Sequence, residues 1–220
     1  INALPPSQRK ALLDGLSPDE AALLLGWAYQ AHAGQLAPLR AEDGGDWRIW
    51  LFLGGRGAGK TRAGAEWIAD GIAASRMRRI GLIGATMRDV RAVMVEGESG
   101  LLNVVEGLDF QPSNGRVLWP DGAVATLLSA EEPDSLRGHQ FDTIWGDEFA
   151  KWRAPQAALD MAEMTVRLGE DPRLLLTTTP RNIPALKNLL AAPGVAVTRA
   201  RPADNDELPP GFFLAMQADR

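Results

Sequence analysis

Apolar residues fall along this chain in two rhythms. Short uncharged runs such as IWLFL (49–53), IGLIG (80–84) and LLL (174–176) alternate with longer stretches that space their apolar side chains three and four residues apart. The first rhythm predicts strands buried on both faces, and the second predicts helices that cover them. Ile49 to Leu53 is one such strand, followed by TRAGAEWIADGIAASR (61–76), a helix with Ala65, Ile68, Ala69 and Ile72 on one face. RRIGLIGAT (78–86) is a second buried strand, and MRDVRAVMVEGESGLL (87–102) is a helical segment broken at Gly97 and Gly100. Turn signals at Asn114-Gly115 and Asp121-Gly122 bracket RVLWP, and Ala123 to Ala130 continues as a strand, which predicts an antiparallel hairpin. FDTIWGDE, RLLLTTTP and VAVTRA are three further apolar runs. Strands alternating with helices in this way predict an α/β domain with a mainly parallel sheet, helices on both faces and a hairpin at its edge.

Upstream, Ser17-Pro18-Asp19-Glu20 has the form of a capping box with proline at the first helical position, and it opens the amphipathic run AALLLGWAYQAH. Residues 1–46 therefore form a helical preface flanking one larger domain, residues 47–220.

The run Gly54, Gly55, Arg56, Gly57, Ala58, Gly59, Lys60, Thr61 fits the phosphate-binding pattern G-x-x-x-x-G-K-[ST], and it lies between the first strand and its helix, where that pattern works. Its glycines allow backbone conformations that turn successive N–H groups inward around an anion. Lys60 is placed to reach the β and γ phosphates of a nucleoside triphosphate, and Thr61 to offer its hydroxyl to Mg2+. Chance placement is the alternative, but the chain has only four lysines and one of them stands at the required position.

Asp147 and Glu148 end the run Phe141 to Gly146, so a buried strand delivers two acids to the carboxyl edge of the sheet. There they divide the work of hydrolysis: Asp147 holds the metal shell as the Walker B aspartate, and Glu148 orients and deprotonates the attacking water. Leu174 to Leu176 end in Thr177, Thr178 and Thr179, hydroxyls suited to sensing a γ-phosphate; the alternative is a β-branched strand end closed by Pro180. In the loop-rich stretch before the P-loop, the Gln35 amide is a candidate reader of the adenine edge, or an ordinary loop residue.

Composition narrows the setting. The 220 residues contain no cysteine, which excludes disulfides and thiolate metal sites, and they carry neither a signal pattern nor an apolar run long enough to span a bilayer, so a cytoplasmic location is expected. A net charge of −5 argues against a surface coated for nonspecific nucleic-acid binding, so any DNA contact is local. Arg76, Arg78 and Arg79, with Arg88 and Arg91 later, form the densest basic cluster: a solvated helix end or a phosphate-contacting patch.

WRIWLFLGGRGAGKTRAGAEW, VMVEGESGLL, SLRGHQFDTIWGDEFA and LLLTTTP, in that order, resemble the ATPase half of a large terminase subunit, the DNA-packaging motor of tailed phages and gene-transfer agents. The resemblance covers roughly residues 35 to 215. It implies a P-loop NTPase fold of the ASCE type and an ATP- and Mg2+-dependent motor that moves double-stranded DNA into a procapsid. It further implies docking on a portal protein, cooperation with a small terminase subunit and assembly into a ring of about five copies. By the same resemblance Arg56 lies beside the γ-phosphate, and Arg137 is an arginine finger offered to a neighbouring subunit. Arg78, Arg79, Arg181 and Lys187 are candidate DNA contacts. The nuclease domain that completes such proteins is not among the matched blocks, so cleavage is not expected of this chain. The readings from other classes are a P-loop kinase or nucleotide switch, a helicase or recombination-type ATPase, and a scaffold with a vestigial P-loop. The guanine-reading Asn-Lys-x-Asp signature of a switch is missing, and the Lys60, Thr61, Asp147, Glu148 set argues against the scaffold.

Overall fold

All six residues of the first strand are buried, and they alternate between two cores: Ile49, Leu51 and Leu53 face one, Trp50 and Phe52 the other. A strand covered on both faces has no position that tolerates charge, which is why its sequence is an unbroken apolar run. The computed structural model describes residues 6–17, 20 and 26–205. In chain order its strands are β1 (Ile49–Gly54), β2 (Arg79–Gly84), β3 (Asp109–Gln111), β4 (Arg116–Leu118), β5 (Val124–Ser129), β6 (Thr143–Gly146), β7 (Arg173–Thr178) and β8 (Val195–Ala200). They form one sheet in the order β3-β4-β5-β2-β6-β7-β1-β8, parallel from β5 to β8, with β4 antiparallel to both β3 and β5. The expected hairpin is β4–β5, and β3 extends it. Strand β7 lies between the P-loop strand β1 and the acid-bearing strand β6, the added strand that marks the ASCE arrangement.

The main helices are α1 (Pro6–Asp14), α2 (Trp27–Gln30), α3 (Lys60–Ala73), α4 (Pro155–Thr165) and α5 (Pro184–Ala191). Helix α3 packs Ala63, Ala65, Trp67, Ile68 and Ile72 onto the Trp50–Phe52 face, while α4 and α5 cover the other with Ala158, Leu159, Ala162, Leu186 and Leu189. The result is three layers, α/β/α.

Two helix expectations are corrected. Helix α3 stops at Ala73 rather than Arg76, because the chain turns back through Ser75 (φ 57°) and the Arg76 and Met77 N–H groups both donate to Gly71 O. Gly71 permits this: a Cβ there would lie 2.2 Å from the Met77 sulfur folded over it. Residues 87–102 are not one broken α-helix but a single turn at Met87–Asp89, a π-helix over Val90–Val95, and a short helix at Leu101–Val104. Both glycines meet backbone where a side chain would stand, Gly97 at 2.5 Å from Val93 O and Gly100 at 2.7 Å from Val95 O.

In the preface, Ser17 and Glu20 make the reciprocal capping bonds expected of them: Glu20 N donates to Ser17 Oγ (3.3 Å) and Ser17 N to the Glu20 carboxylate (2.8 Å). Of the helix expected to follow, residues 21–25 lie outside the described residues, and Trp27–Gln30 is helical. A 3-10 turn at Ala33–Gln35 then packs beside β8, with a Cβ at Gly34 placed 2.8 Å from Arg199 O.

Candidate functional site

Strand β1 hands directly to the P-loop, whose Gly57 (φ 80°) and Gly59 (φ 72°) occupy the left-handed region that glycine enters without strain. Lys60 opens α3 with its side chain only 8% exposed. Its ammonium donates to Gly54 O (3.0 Å), Gly55 O (3.1 Å) and Thr179 Oγ1 (3.3 Å), and stands 3.5 Å from a Glu148 carboxylate oxygen. The loop's cation thus closes on the loop itself and on the tips of β6 and β7.

Asp147, one residue past β6, is buried, and the Thr177 hydroxyl donates to its Oδ1. Burial pushes its carboxyl up to about 6, and the neighbouring Glu148 charge pushes the same way; the Thr177 hydrogen bond, Lys60 and Lys151 pull it down. Glu148 adopts a left-handed conformation (φ 52°, ψ 46°), which costs an L-residue about 1 kcal/mol and turns its carboxylate toward the P-loop. There it accepts from Thr179 N and Thr179 Oγ1, both at 3.4 Å, and lies 3.5 Å from Lys151.

These groups line one cleft of about 740 Å³ between the P-loop and residues 92–99. Arg56, Gly57, Ala58, Gly59, Lys60, Thr61 and Glu148 all contribute to its wall. Asp147 sits beneath it. Gly54, Gly55, Gln35, Thr178 and Arg137, all expected at the site, are not on this wall. Thr178 is fully buried; its hydroxyl accepts from Ala150 N (3.0 Å) and donates to Thr179 O (3.1 Å), so Thr179, not Thr178, presents a hydroxyl to the cleft. Gln35 is buried on the outer side of the P-loop, where its amide donates to Gly59 O (3.1 Å) and accepts from His32 N (3.2 Å). It braces the loop instead of facing the cleft.

The arginines separate in the same way. Arg56 is exposed on the cleft wall, whereas Arg137 lies outside this cleft, 74% exposed and 3.5 Å from Asp134. Arg76, Arg78 and Arg79 line a second groove at the amino ends of β2, β6 and β7, opposite the P-loop, with Arg78 paired to Asp121 (2.8 Å). Arg91 is held by Glu96, and Arg181 and Lys187 are exposed. Lys151, Asn205, Ala92, Val93, Gly97, Glu98 and Ser99 also line the cleft without having been singled out for it. Lys151 carried a readable signal, a rare lysine three residues after Glu148; Asn205 carried none.

The oxygen donors fit magnesium. Thr61 and Asp147 are of the type Mg2+ takes, and a cation beside Asp147 offsets the burial that disfavours its charge. Among the described residues no group of three or more His, Cys, Asp or Glu is ready to hold a metal, so the ion would take its remaining ligands from phosphate and water.

The family described as "Terminase large subunit, T4likevirus-type, N-terminal" matches residues 51–194. The chain belongs to the large terminase subunit family. Solved terminases share its fold at low identity. The large terminase of a thermophilic bacteriophage aligns at TM-score 0.63 and 15% identity over 91% of this chain and 49% of its own. The terminase domain described here thus spans about half the length of that relative. The large terminase ATPase domain of Thermus phage P74-26 aligns at 0.58 and 19% over 84% of this chain and 86% of its own. The N-terminal domain of the bacteriophage phi29 DNA packaging ATPase aligns at 0.53 and 14%, over 74% and 93%. The first of these three relatives is also known in complex with ADP and with ATP-gamma-S. No curated protein sequence matches this terminase domain.

Proposed function

We propose that this terminase domain hydrolyses ATP to drive double-stranded DNA into a procapsid. The observation that carries the reading is the meeting of Lys60, Glu148 and Thr179 in one cleft above Asp147. A nucleotide-binding site alone needs only the loop; a buried metal-type acid followed by a second, partly exposed acid facing the loop adds the means of hydrolysis.

In this mechanism the P-loop N–H groups and Lys60 hold the β and γ phosphates, and Lys60 leaves Glu148 to do so. Thr61 and Asp147 would hold magnesium, which would supply charge neutralisation on the phosphate oxygens. Glu148 takes a proton from water as the water oxygen bonds to the γ-phosphorus and the bond to ADP breaks. Thr179 senses the phosphate, Arg56 contributes from the same subunit, and Arg137, lying outside its own cleft, serves the neighbouring one. The ring of about five subunits, the portal protein and the small terminase subunit are the expected partners, in the host cytoplasm and transiently on the procapsid. No helix among the described residues is long and apolar enough to cross a membrane.

The test is ATP turnover against protein concentration, with and without linear double-stranded DNA, using Glu148→Ala as blank. Turnover rising faster than linearly, and further with DNA, is the expected result. Turnover no greater than that of Glu148→Ala would overturn the reading.

A further inference from the structure

Three consecutive P-loop carbonyls each bond to a side chain from outside the loop. Asn205 Nδ2 donates to Gly57 O (2.7 Å), His32 Nε2 to Ala58 O (3.2 Å) and Gln35 Nε2 to Gly59 O (3.1 Å). For His32 this requires the proton on Nε2. Two of the donors precede the sheet and one follows its last strand, so opposite flanks of the domain converge on three peptides. The fit is close: a Cβ at Gly59 would lie 2.2 Å from the Gln35 amide nitrogen, and one at Gly55 would lie 3.2 Å from Pro202.

In a trans peptide the carbonyl and the following N–H point in opposite directions. Holding the carbonyls of 57–59 on these donors therefore fixes the direction of the N–H groups of Ala58, Gly59 and Lys60, of which the Ala58 N–H at present donates to Gly55 O (3.2 Å). A loop containing Gly54, Gly55, Gly57 and Gly59 otherwise has wide conformational freedom, and ordering it at the moment of binding would weaken affinity.

Resting on the nucleotide reading of this cleft, we infer that His32 and Gln35, with Asn205 at the cleft edge, form a clamp that pre-orders the P-loop for a nucleotide's phosphates. They are positioning residues, and none of them is a base reader. The clamp ties the preface and the segment after β8 to phosphate affinity, so nucleotide binding in turn tightens both flanks onto the loop.

Near-isosteric variants that lose the donor test this, and Gln35→Met and Asn205→Leu lose it without the negative charge that Gln35→Glu and Asn205→Asp also bring near the phosphates. Gln35→Glu and Asn205→Asp keep shape but offer an acceptor to a carbonyl, and His32→Phe keeps a ring beside Phe52. Each should weaken ATP-gamma-S and GTP-gamma-S binding alike, by about 3–10-fold, with the ratio between the two unchanged. His32→Gln, which can donate again, should recover most of the loss. Amide exchange in the nucleotide-free variants should quicken at residues 57–61 and stay unchanged in β1, which separates a loosened loop from a loosened fold. Affinities within twofold of the parent for Gln35→Glu and Asn205→Asp would overturn the clamp, as would a change in the ATP/GTP ratio in Gln35→Glu, which would make Gln35 a base reader. A parent protein that binds neither nucleotide is a distinct result and overturns the proposed function itself.

Discussion

Lys60 and Glu148 face each other at 3.5 Å across the nucleotide cleft, with side chains 8% and 21% exposed. The cation assigned to phosphate and the acid assigned to water are therefore paired before any nucleotide enters, and binding must separate them. Replacing Glu148 by Gln keeps the side chain's size but removes its basicity. Nucleotide affinity should stay within about threefold of the parent while kcat falls about 10²–10⁴-fold. Turnover near the parent's would remove Glu148 from the role of base.

Asp147→Asn should stabilise the nucleotide-free domain and abolish Mg2+-dependent nucleotide binding. An acid whose folded pKa lies above its unfolded value holds its proton more tightly when folded. For Asp147 that means no cost below about pH 4, a cost growing as pH rises toward about 6, and a constant cost above it. Urea melts should show the variant more stable by about 1–3 kcal/mol at pH 8 and equal to the parent near pH 4. A variant less stable at pH 8 would contradict the burial argument.

Gly64 lies under the indole of Trp145: a Cβ there would stand 2.1 Å from the ring. Gly64→Ala should therefore destabilise the domain by about 2–3 kcal/mol through overpacking. Adding Trp145→Leu should return part of that loss, whereas independent sites would give a plain sum of two losses.

The threonines that end β7 should separate by phenotype. Thr178→Val leaves the buried Ala150 N–H without its acceptor and should lower stability by about 1–2 kcal/mol with little change in the nucleotide KM. Thr179→Val removes the hydroxyl that meets both Lys60 and Glu148 and should lower kcat while leaving stability close to the parent's. The reverse pattern would return sensing to Thr178.

Arg137→Ala subunits mixed with Glu148→Ala subunits should recover part of the ATP turnover that neither has alone, because some mixed interfaces join an intact finger to an intact base. Arg56→Ala, altered in the same cleft as Glu148, should likewise be rescued by Arg137→Ala but not by Glu148→Ala. Turnover in the first mixture no higher than in its components would assign Arg137 a role within its own subunit.

The P-loop and the acid pair were legible because each joins a buried, mainly apolar strand to residues with unusual demands: glycines that need left-handed backbone, and adjacent acids at a strand end. The neighbours of each strand were not legible. That β7 lies between β1 and β6 is decided by packing between distant segments, to which local periodicity is blind. The three threonines were not separable as sensors, because the strand ends at Thr178 and beyond that point the alternation that assigns faces no longer applies. Gln35 was placed within reach of the loop, but its sequence position does not tell the loop's inner side from its outer. His32 and Asn205 escaped notice because a carbonyl clamp needs only a donor, and its residues have no fixed spacing.

The position of β7 has one more consequence. Its tip touches both halves of the site, since Thr177 holds Asp147 while Thr179 meets Lys60 and Glu148. On its flanks Leu51 and Gly146 both stand level with Leu176. A slip of one residue in that pairing would turn Thr177 away from Asp147 and carry Thr179 out of line with Lys60, leaving every reactive side chain present but mutually misplaced. The alignment of three neighbouring backbones is thus the gauge against which the reactive groups are set, and damage to it would look like a lost catalytic residue in a chain that has lost none.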